Sequence, residues 1–310
     1  MGKIAFVFPG QGAQAVGMGR DAYERFEAAR RALDRADEAL GFPLTRLIFE
    51  GPEAELRQTA NTQPALLAVS VALLEACRGA GGLKPDYVAG HSLGEYSALV
   101  SAGVLAYDDA LRLVRVRGQL MEEAVPGGQG AMAAVLGAGR DELAALCRDV
   151  SATAGLVELA NVNCPGQIVV SGTAAGVEAV ALRGKEAGAK RVVPLDVSGP
   201  FHSSLMRPAA ERLAEELARV RFRDAEVPVI ANVNARPVVS GEEIRELLVR
   251  QVVSPVLWED SVRYLIGQGV DTFVEIGSGT VLAGLIRKID KSARVLSVNS
   301  ADAVAELTAG

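Results

Sequence analysis

The sequence predicts an α/β fold in which a parallel sheet is covered by helices on both faces and interrupted by a small β-α-β-β-α-β module. Three observations predict it. Short apolar runs alternate with longer stretches of helical periodicity along most of the chain. The composition shifts at Pro126-Gly127-Gly128-Gln129-Gly130, and the segment that follows has a strand–helix order of its own. Between an apolar run and a run of helix formers stands Gly90-His91-Ser92-Leu93-Gly94. This is the spacing of a nucleophile elbow, a sharp strand-to-helix turn that holds a serine hydroxyl out at the top of a sheet.

Taken in order, Lys3 to Phe8 reads as a buried strand, followed by the glycine loop Pro9-Gly10-Gln11-Gly12-Ala13-Gln14. No Gly-Lys-Ser/Thr follows, so this is not a phosphate loop, and its spacing is not that of a dinucleotide fingerprint. It reads as either a plain turn or a ligand loop past a strand end. Phe26, Ala29, Leu33, Ala36 and Leu40 recur at helical spacing over 17–40. A second helix runs from Gln63 to Arg78, opened by Pro64. The strand before Ser92 and a helix from Leu93 to Ala102 flank the elbow. Asp108 and Asp109 are expected to cap the next helix, whose Arg112, Arg115 and Arg117 read, on pattern alone, as a solvated face.

The module comes next. Strands are expected over Ala131–Leu136, Val157–Asn163, Gln167–Ser171 and Arg191–Val197, and helices over Arg140–Asp149 and Ala174–Ala187. That order is ferredoxin-like, and it marks 128–198 as a subdomain inserted into a larger α/β domain made of 1–127 and 199–310. A strand at Val227–Val233, helices at Glu242–Arg250, 259–267 and Val281–Ile289, and strands at Thr272–Ile276 and Arg294–Val298 complete an α/β-hydrolase-like parallel-sheet core.

Totals narrow the function. A chain of 310 residues with 49% hydrophobic and 23% charged residues can bury a large core. The net charge of −6 argues against a nucleic-acid scaffold. Cys77, Cys147 and Cys164 are far apart and form no C-x-x-C, which argues against disulfides and a zinc site and for a reducing compartment. The first apolar run ends at Pro9, too short for a signal peptide, and no uninterrupted stretch is long enough for a membrane span. The expectation is a cytoplasmic monomer with no membrane or nucleic-acid partner and no metal.

Histidine is scarce, and that is informative. Only His91 and His202 exist, and a serine nucleophile needs a base that titrates near neutral pH. His91 adjoins Ser92, and neighbours on a turn point apart. If Ser92 is a nucleophile, His202 is its partner; taken alone, it reads as a capping or buried structural histidine. The group that orients His202 stays open. Asp196 lies close before it, and a backbone carbonyl is the alternative.

Phe8-Pro9-Gly10-Gln11-Gly12, Gly90-His91-Ser92-Leu93-Gly94-Glu95-Tyr96, Gly199-Pro200-Phe201-His202-Ser203 and Glu275-Ile276-Gly277 resemble, in order and spacing, the signature blocks of malonyl-CoA:acyl carrier protein transacylases. The resemblance covers essentially the whole chain, inserted module included. It implies Ser92 as nucleophile, His202 as general acid/base, and the backbone amides of Gln11 and Leu93 as an oxyanion hole. It implies Arg117 as the partner of the malonyl carboxylate, a task suited to a fixed cationic fork. It puts the main-chain carbonyl of Gln251 on the histidine, and Asn161 and Asn163 at the edge of the cleft. Phe201 resembles malonyl-selective members, whereas methylmalonyl-selective ones commonly carry a smaller residue. The implied substrates are malonyl-CoA, with CoA released, and acyl carrier protein, with no cofactor. Three rivals remain: a serine esterase or thioesterase, a stand-alone polyketide acyltransferase, and a non-catalytic acyl-CoA or carrier-binding protein.

Overall fold

Strand β1 (Lys3–Phe8) alternates Ala5 and Val7 with Phe6 and Phe8, and the two sets enter different apolar cores. Successive side chains on a strand point to opposite faces, so a strand apolar at every position is one buried on both sides. In the computed structural model, which describes residues 2–309, β1 lies inside a six-stranded sheet. The remaining strands are β2 (Tyr87–Gly90), β3 (Gly130–Leu136), β4 (Val157–Cys164), β5 (Gln167–Thr173), β6 (Arg191–Pro194), β7 (Val229–Ile230), β8 (Pro237–Val238), β9 (Val270–Ile276) and β10 (Arg294–Val298). The large sheet has the order β10-β9-β1-β2-β7-β8, parallel except for the terminal β7–β8 pair. In the β1–β2 register Phe8 lies opposite Gly90, so the loops that leave both strands start side by side. Carboxyl ends of parallel strands are where open α/β sheets place their ligands.

The second sheet is antiparallel, in the order β4-β5-β3-β6. It has a core of its own, in which Val135 and Val170 pack with Leu143, Val150, Val177 and Val180 from two helices, Arg140–Thr153 and Ala174–Arg183. A Cβ built on Gly130 would stand 2.3 Å from Pro200 Cδ, so the chain entering this sheet and the chain leaving it pass against each other. The sheet is tied to the large unit by Val162 N–H to the Val256 carbonyl (2.9 Å) and Val256 N–H to the Ala160 carbonyl (2.9 Å).

Several elements differ from the sequence expectation. The stretch 17–40 is two helices, Arg20–Arg25 and Glu27–Leu40, broken at Phe26, whose backbone is extended (φ −120°, ψ 118°). The helix expected from Gln63 begins at Thr59 and runs to Gly79, so Pro64 is internal rather than near its start. Pro64 has no N–H to give the Ala60 carbonyl. Arg115 Nη1 donates to that carbonyl instead, at 2.8 Å, which takes Arg115 off the expected solvated face. Asp108 and Asp109 lie in the first turn of the helix Tyr107–Glu123 and do not cap it; the cap position is Ala106. Their carboxylates hold Arg35 and Arg112. The strand expected over Val227–Val233 shrinks to Val229–Ile230, because the chain turns at Asn232–Asn234. Strand β6 ends at Pro194, and the helix from Ala174 tightens into a 3₁₀ turn at Gly184–Ala187. Helices Leu44–Glu50, Glu53–Leu56 and Ala301–Ala309, and β8, lacked a clear sequence signal. All three cysteines are buried free thiols. Among the described residues, no helix is long and apolar enough to cross a membrane.

Candidate active site

The turn between β2 and the helix Leu93–Ser101 is made possible by two absent side chains. A Cβ on Gly90 would lie 1.9 Å from the Gly94 carbonyl carbon, and one on Gly94 would lie 2.0 Å from the Phe8 carbonyl oxygen. With both glycines in place the new helix crosses directly over the strand ends. Ser92 is left at φ 50°, ψ −105°, a backbone region that L-residues rarely occupy. His202 is also at positive φ, 57°. Non-glycine residues persist in such conformations only where their surroundings over-determine them.

Ser92 Oγ lies 2.7 Å from His202 Nε2, and His202 Nδ1 lies 2.9 Å from the Gln251 carbonyl oxygen. A carbonyl can only accept, so Nδ1 carries the proton and Nε2 presents its lone pair to the serine hydroxyl. Burial, helped by the nearby Arg117 charge, pushes the His202 pKa down to about 3, so the imidazole is neutral at physiological pH. Asp196 plays no part in this. Its side chain is 94% exposed and pairs with Arg57 at 3.4 Å, which settles the choice between carboxylate and carbonyl in favour of Gln251.

Arg117 is 1% exposed. Its Nη1 donates to Gln63 Oε1 (2.7 Å), and its Nη2 donates to Gln251 Oε1 (2.9 Å) and to Ser92 Oγ (3.2 Å). Its Nε has no partner among the described residues, and the guanidinium stacks over the Tyr96 ring at 5.6 Å. No carboxylate of the described chain forms an ion pair with it. A buried guanidinium held by neutral oxygens, with no counter-ion among the described residues and with Nη2 3.2 Å from a serine hydroxyl, is suited to an incoming anion.

Gln11 and Leu93 belong to the two adjacent loops. Leu93 is the first residue of its helix, so its amide has no acceptor inside the helix. The Gln11 amide finds no acceptor among the described residues. The Gln11 loop is held from three sides. Gln11 Nε2 donates to Thr59 Oγ1 (3.2 Å), Ser278 Oγ donates to the Ala13 carbonyl (2.6 Å), and a Cβ on Gly277 would meet Pro9 Cδ at 2.7 Å. The Glu275-Ile276-Gly277 block therefore acts as a buttress. The Glu275 carboxylate caps the helix Val281–Ile289 through the Leu282 and Ala283 amides, at 2.9 and 2.8 Å.

A cleft of about 780 Å³ opens between the two sheets, lined by Gln11, His91, Asn161, Asn163, Arg57 and Leu195 among others. Asn161 lies on β4 where it bridges to Val256. The Asn163 side-chain oxygen accepts from His91 Nε2 at 2.8 Å, and the His91 ring packs near Trp258 at 5.8 Å between centroids. Phe201 is buried in the main core with its Cε1 3.1 Å from the Cβ position of Gly199.

Sequence reasoning gave no role to Gln63, Asn232 or Glu95. Asn232 is fully buried, and its side chain accepts from Ser92 N–H (2.8 Å) and donates to the Gly90 carbonyl (2.7 Å). Nothing local marks it; it sits in a turn where an unbroken strand was expected.

A neutral imidazole on a serine hydroxyl, in a turn that exposes free amides and beside an unpaired guanidinium, is the equipment of an acyl-transferring α/β enzyme. The chain belongs to the acyl transferase domain family, whose model matches residues 5–308, and within it to the malonyl CoA-acyl carrier protein transacylases. The malonyl CoA-acyl carrier protein transacylase of Bacillus subtilis (strain 168) is 52% identical over 304 residues, 98% of this chain and 96% of that protein. The crystal structure of an acyl carrier protein S-malonyltransferase from Vibrio cholerae is 44% identical, with a TM-score of 0.96 over 98% of this chain and 99% of that one. Equally similar in fold is a malonyl-transacylase in complex with its type II PKS acyl-carrier protein, with 43% identity and a TM-score of 0.96 over 99% of both chains.

Proposed function

We propose that this protein moves a malonyl group from malonyl-CoA to the phosphopantetheine thiol of acyl carrier protein, through a malonyl ester on Ser92, in fatty acid biosynthesis. The observation that carries the reading is Arg117, a buried cation with an unpartnered Nε and with Nη2 3.2 Å from the Ser92 hydroxyl oxygen. An esterase of uncharged acyl groups would gain nothing from that charge and would bear the cost of burying it.

The malonyl carboxylate binds at Arg117 and the thioester carbonyl faces Ser92. His202 Nε2 takes the hydroxyl proton as Oγ attacks the carbonyl carbon. The amides of Gln11 and Leu93 receive the oxyanion. The C–S bond breaks, His202 returns its proton to the CoA sulfur, and the ester remains. In the second half, His202 takes a proton from the carrier thiol, the sulfur attacks the ester carbonyl, and Ser92 Oγ leaves with the proton. None of these steps calls for a metal or a cofactor. Asn161 and Asn163 shape the carrier-side cleft, Asn163 by fixing His91, while Phe201 limits the room beside His202 for a branched acyl group.

The module 128–198 is read as a ferredoxin-like subdomain set into an α/β-hydrolase-like domain of 1–127 and 199–310; the antiparallel order β4-β5-β3-β6 supports this. A cytoplasmic monomer is the corresponding cellular reading. A polyketide carrier as acceptor is the second reading, favoured by the structural relative bound to such a carrier.

Intact-mass spectrometry tests the proposal. Mixed with malonyl-CoA, the protein should gain one malonyl group, lose it to added carrier protein, and gain none as Ser92→Ala. No adduct, or release of free malonate without carrier, overturns the reading. Carriers of both pathways offered in competition separate the two acceptors.

A further inference from the structure

Nucleophile and base reach the site on elements far apart in the chain, yet their atoms meet at 2.7 Å. What holds them in register is a buried carboxylate that neither of them touches. Glu95 is 2% exposed, on the first turn of the helix that follows Ser92. Its Oε2 accepts two hydrogen bonds, from the backbone N–H of Asn232 (3.1 Å) and from Gln251 Nε2 (2.9 Å). Each donor belongs to a residue that holds one member of the pair, Ser92 by its backbone and His202 by its ring. Asn232 holds the elbow, bonding the Ser92 amide at 2.8 Å and the Gly90 carbonyl at 2.7 Å. Gln251 holds the base through its main-chain carbonyl, 2.9 Å from His202 Nδ1. The Gln251 amide nitrogen also lies within hydrogen-bond distance of the Ser92 carbonyl (3.1 Å) and Asn232 Oδ1 (3.3 Å), so its two N–H groups are shared among three acceptors, closing the network.

We propose that Glu95 is a positioning residue that sets the distance between Ser92 and His202 by clamping Asn232 and Gln251 to a single oxygen. The inference rests on the reading of Ser92 and His202 as the reacting pair. The clamp explains how Ser92 and His202 both persist at positive φ, since each is pinned by a residue that Glu95 in turn fixes. It also fixes the Gln251 amide. Nε2 faces the carboxylate, so Oε1 faces Arg117 Nη2 at 2.9 Å, and the guanidinium is turned by the same oxygen. Burial pushes the Glu95 carboxyl up to about 7, opposed by the hydrogen bonds from Gln251 and Asn232. Because one oxygen takes both bonds, the clamp depends on that oxygen and not on full ionisation.

The test compares Glu95→Ala, Glu95→Gln and Asn232→Ala, each checked for a cooperative thermal melt. Two readouts are used: steady-state acyl loading from malonyl-CoA and acetyl-CoA, and the rate at which phenylmethanesulfonyl fluoride modifies Ser92. A displacement of about 1 Å costs about 10²-fold in rate. Glu95→Ala and Asn232→Ala should lose about that much in kcat with both acyl groups and in sulfonylation rate, with KM little changed. Glu95→Gln, which keeps one acceptor oxygen, should recover to within about tenfold of wild type. Wild-type kcat in the alanine variants overturns the proposal, as does a loss confined to KM for malonyl-CoA, or a glutamine variant no better than alanine. If Glu95→Ala does not fold, Asn232→Ala carries the test. Sulfonylation needs no malonyl group, so a failure of the malonyl reading would not disturb this result.

Discussion

Ser92 and His202 meet at 2.7 Å while both stand at positive φ, 50° and 57°. Ala235 is the other non-glycine residue at positive φ among the described residues; Ser92 and His202 are both held by hydrogen bonds from elsewhere in the chain, Ser92 by Asn232 and His202 by Gln251. That is the pattern of a site assembled before substrate arrives.

The depressed pKa of His202 sets the pH profile. A base whose folded pKa lies at about 3 instead of 6.5 stays unprotonated as pH falls through 6.5. The acid limb of kcat/KM for acyl loading, which reports the free enzyme, should therefore lie below about pH 5. A limb centred at the ordinary histidine value would contradict the burial argument. By the same linkage, stability owed to neutral His202 is complete above 6.5 and lost as pH falls toward 3. Urea unfolding of His202→Gln should show a shallower loss over that window.

Arg117→Ala removes the buried cation proposed to hold the acyl carboxylate. Loss of one partner of a buried charge pair costs about 2–5 kcal/mol, so kcat/KM for malonyl-CoA should fall at least about 30-fold. Loading from acetyl-CoA, which brings no carboxylate, should rise relative to malonyl. An unchanged preference would place the carboxylate elsewhere.

Asp196 precedes His202 by six positions but lies out in solvent against Arg57, far from any role in orienting the ring. Asp196→Asn should keep malonyl loading within about twofold, since exposed pairs contribute little. A loss of 100-fold would reopen the question of a third carboxylate.

Arg115 fills the hydrogen bond that Pro64 withholds from the Ala60 carbonyl. Arg115→Met leaves that buried acceptor empty and should lower unfolding free energy by about 1–3 kcal/mol in urea titration. Neither Ser92 nor His202 touches Arg115, so loading at saturating substrate should hold.

Much of the site was legible because its parts are local motifs. Gly90-x-Ser92-x-Gly94 encodes a turn through steric absence, and a steric rule acts over a few residues. With two histidines in the chain, counting left His202 as the candidate base, and its Nε2 lies 2.7 Å from Ser92 Oγ. The β-α-β-β-α-β order of the inserted segment was readable from periodicity, though its strand ends moved by a few residues. Less was legible where an apolar run does not extend as far as its composition allows. Val227–Val233 reads as one strand, yet the chain turns at Asn232 and thereby delivers the side chain that pins Ser92.

By itself, then, the sequence determined the alternation of strands and helices, the elbow with its candidate nucleophile, the one histidine available as candidate base, and the family. These depend on periodicity, glycine sterics and residue chemistry, all written in neighbouring positions. The resemblance pointed to Gln251 and Arg117, but only the tertiary structure shows the contacts that hold them, the Gln251 carbonyl on His202 and the buried Arg117 guanidinium beside Ser92, and only it brings Glu95 between the two halves of the site. Those relationships link residues 49, 25 and 156 positions apart, for Gln251 with His202, Arg117 with Ser92, and Gln251 with Glu95. No local pattern encodes them, because a buried polar group takes its partner from whatever the packed sheet and helices bring within reach.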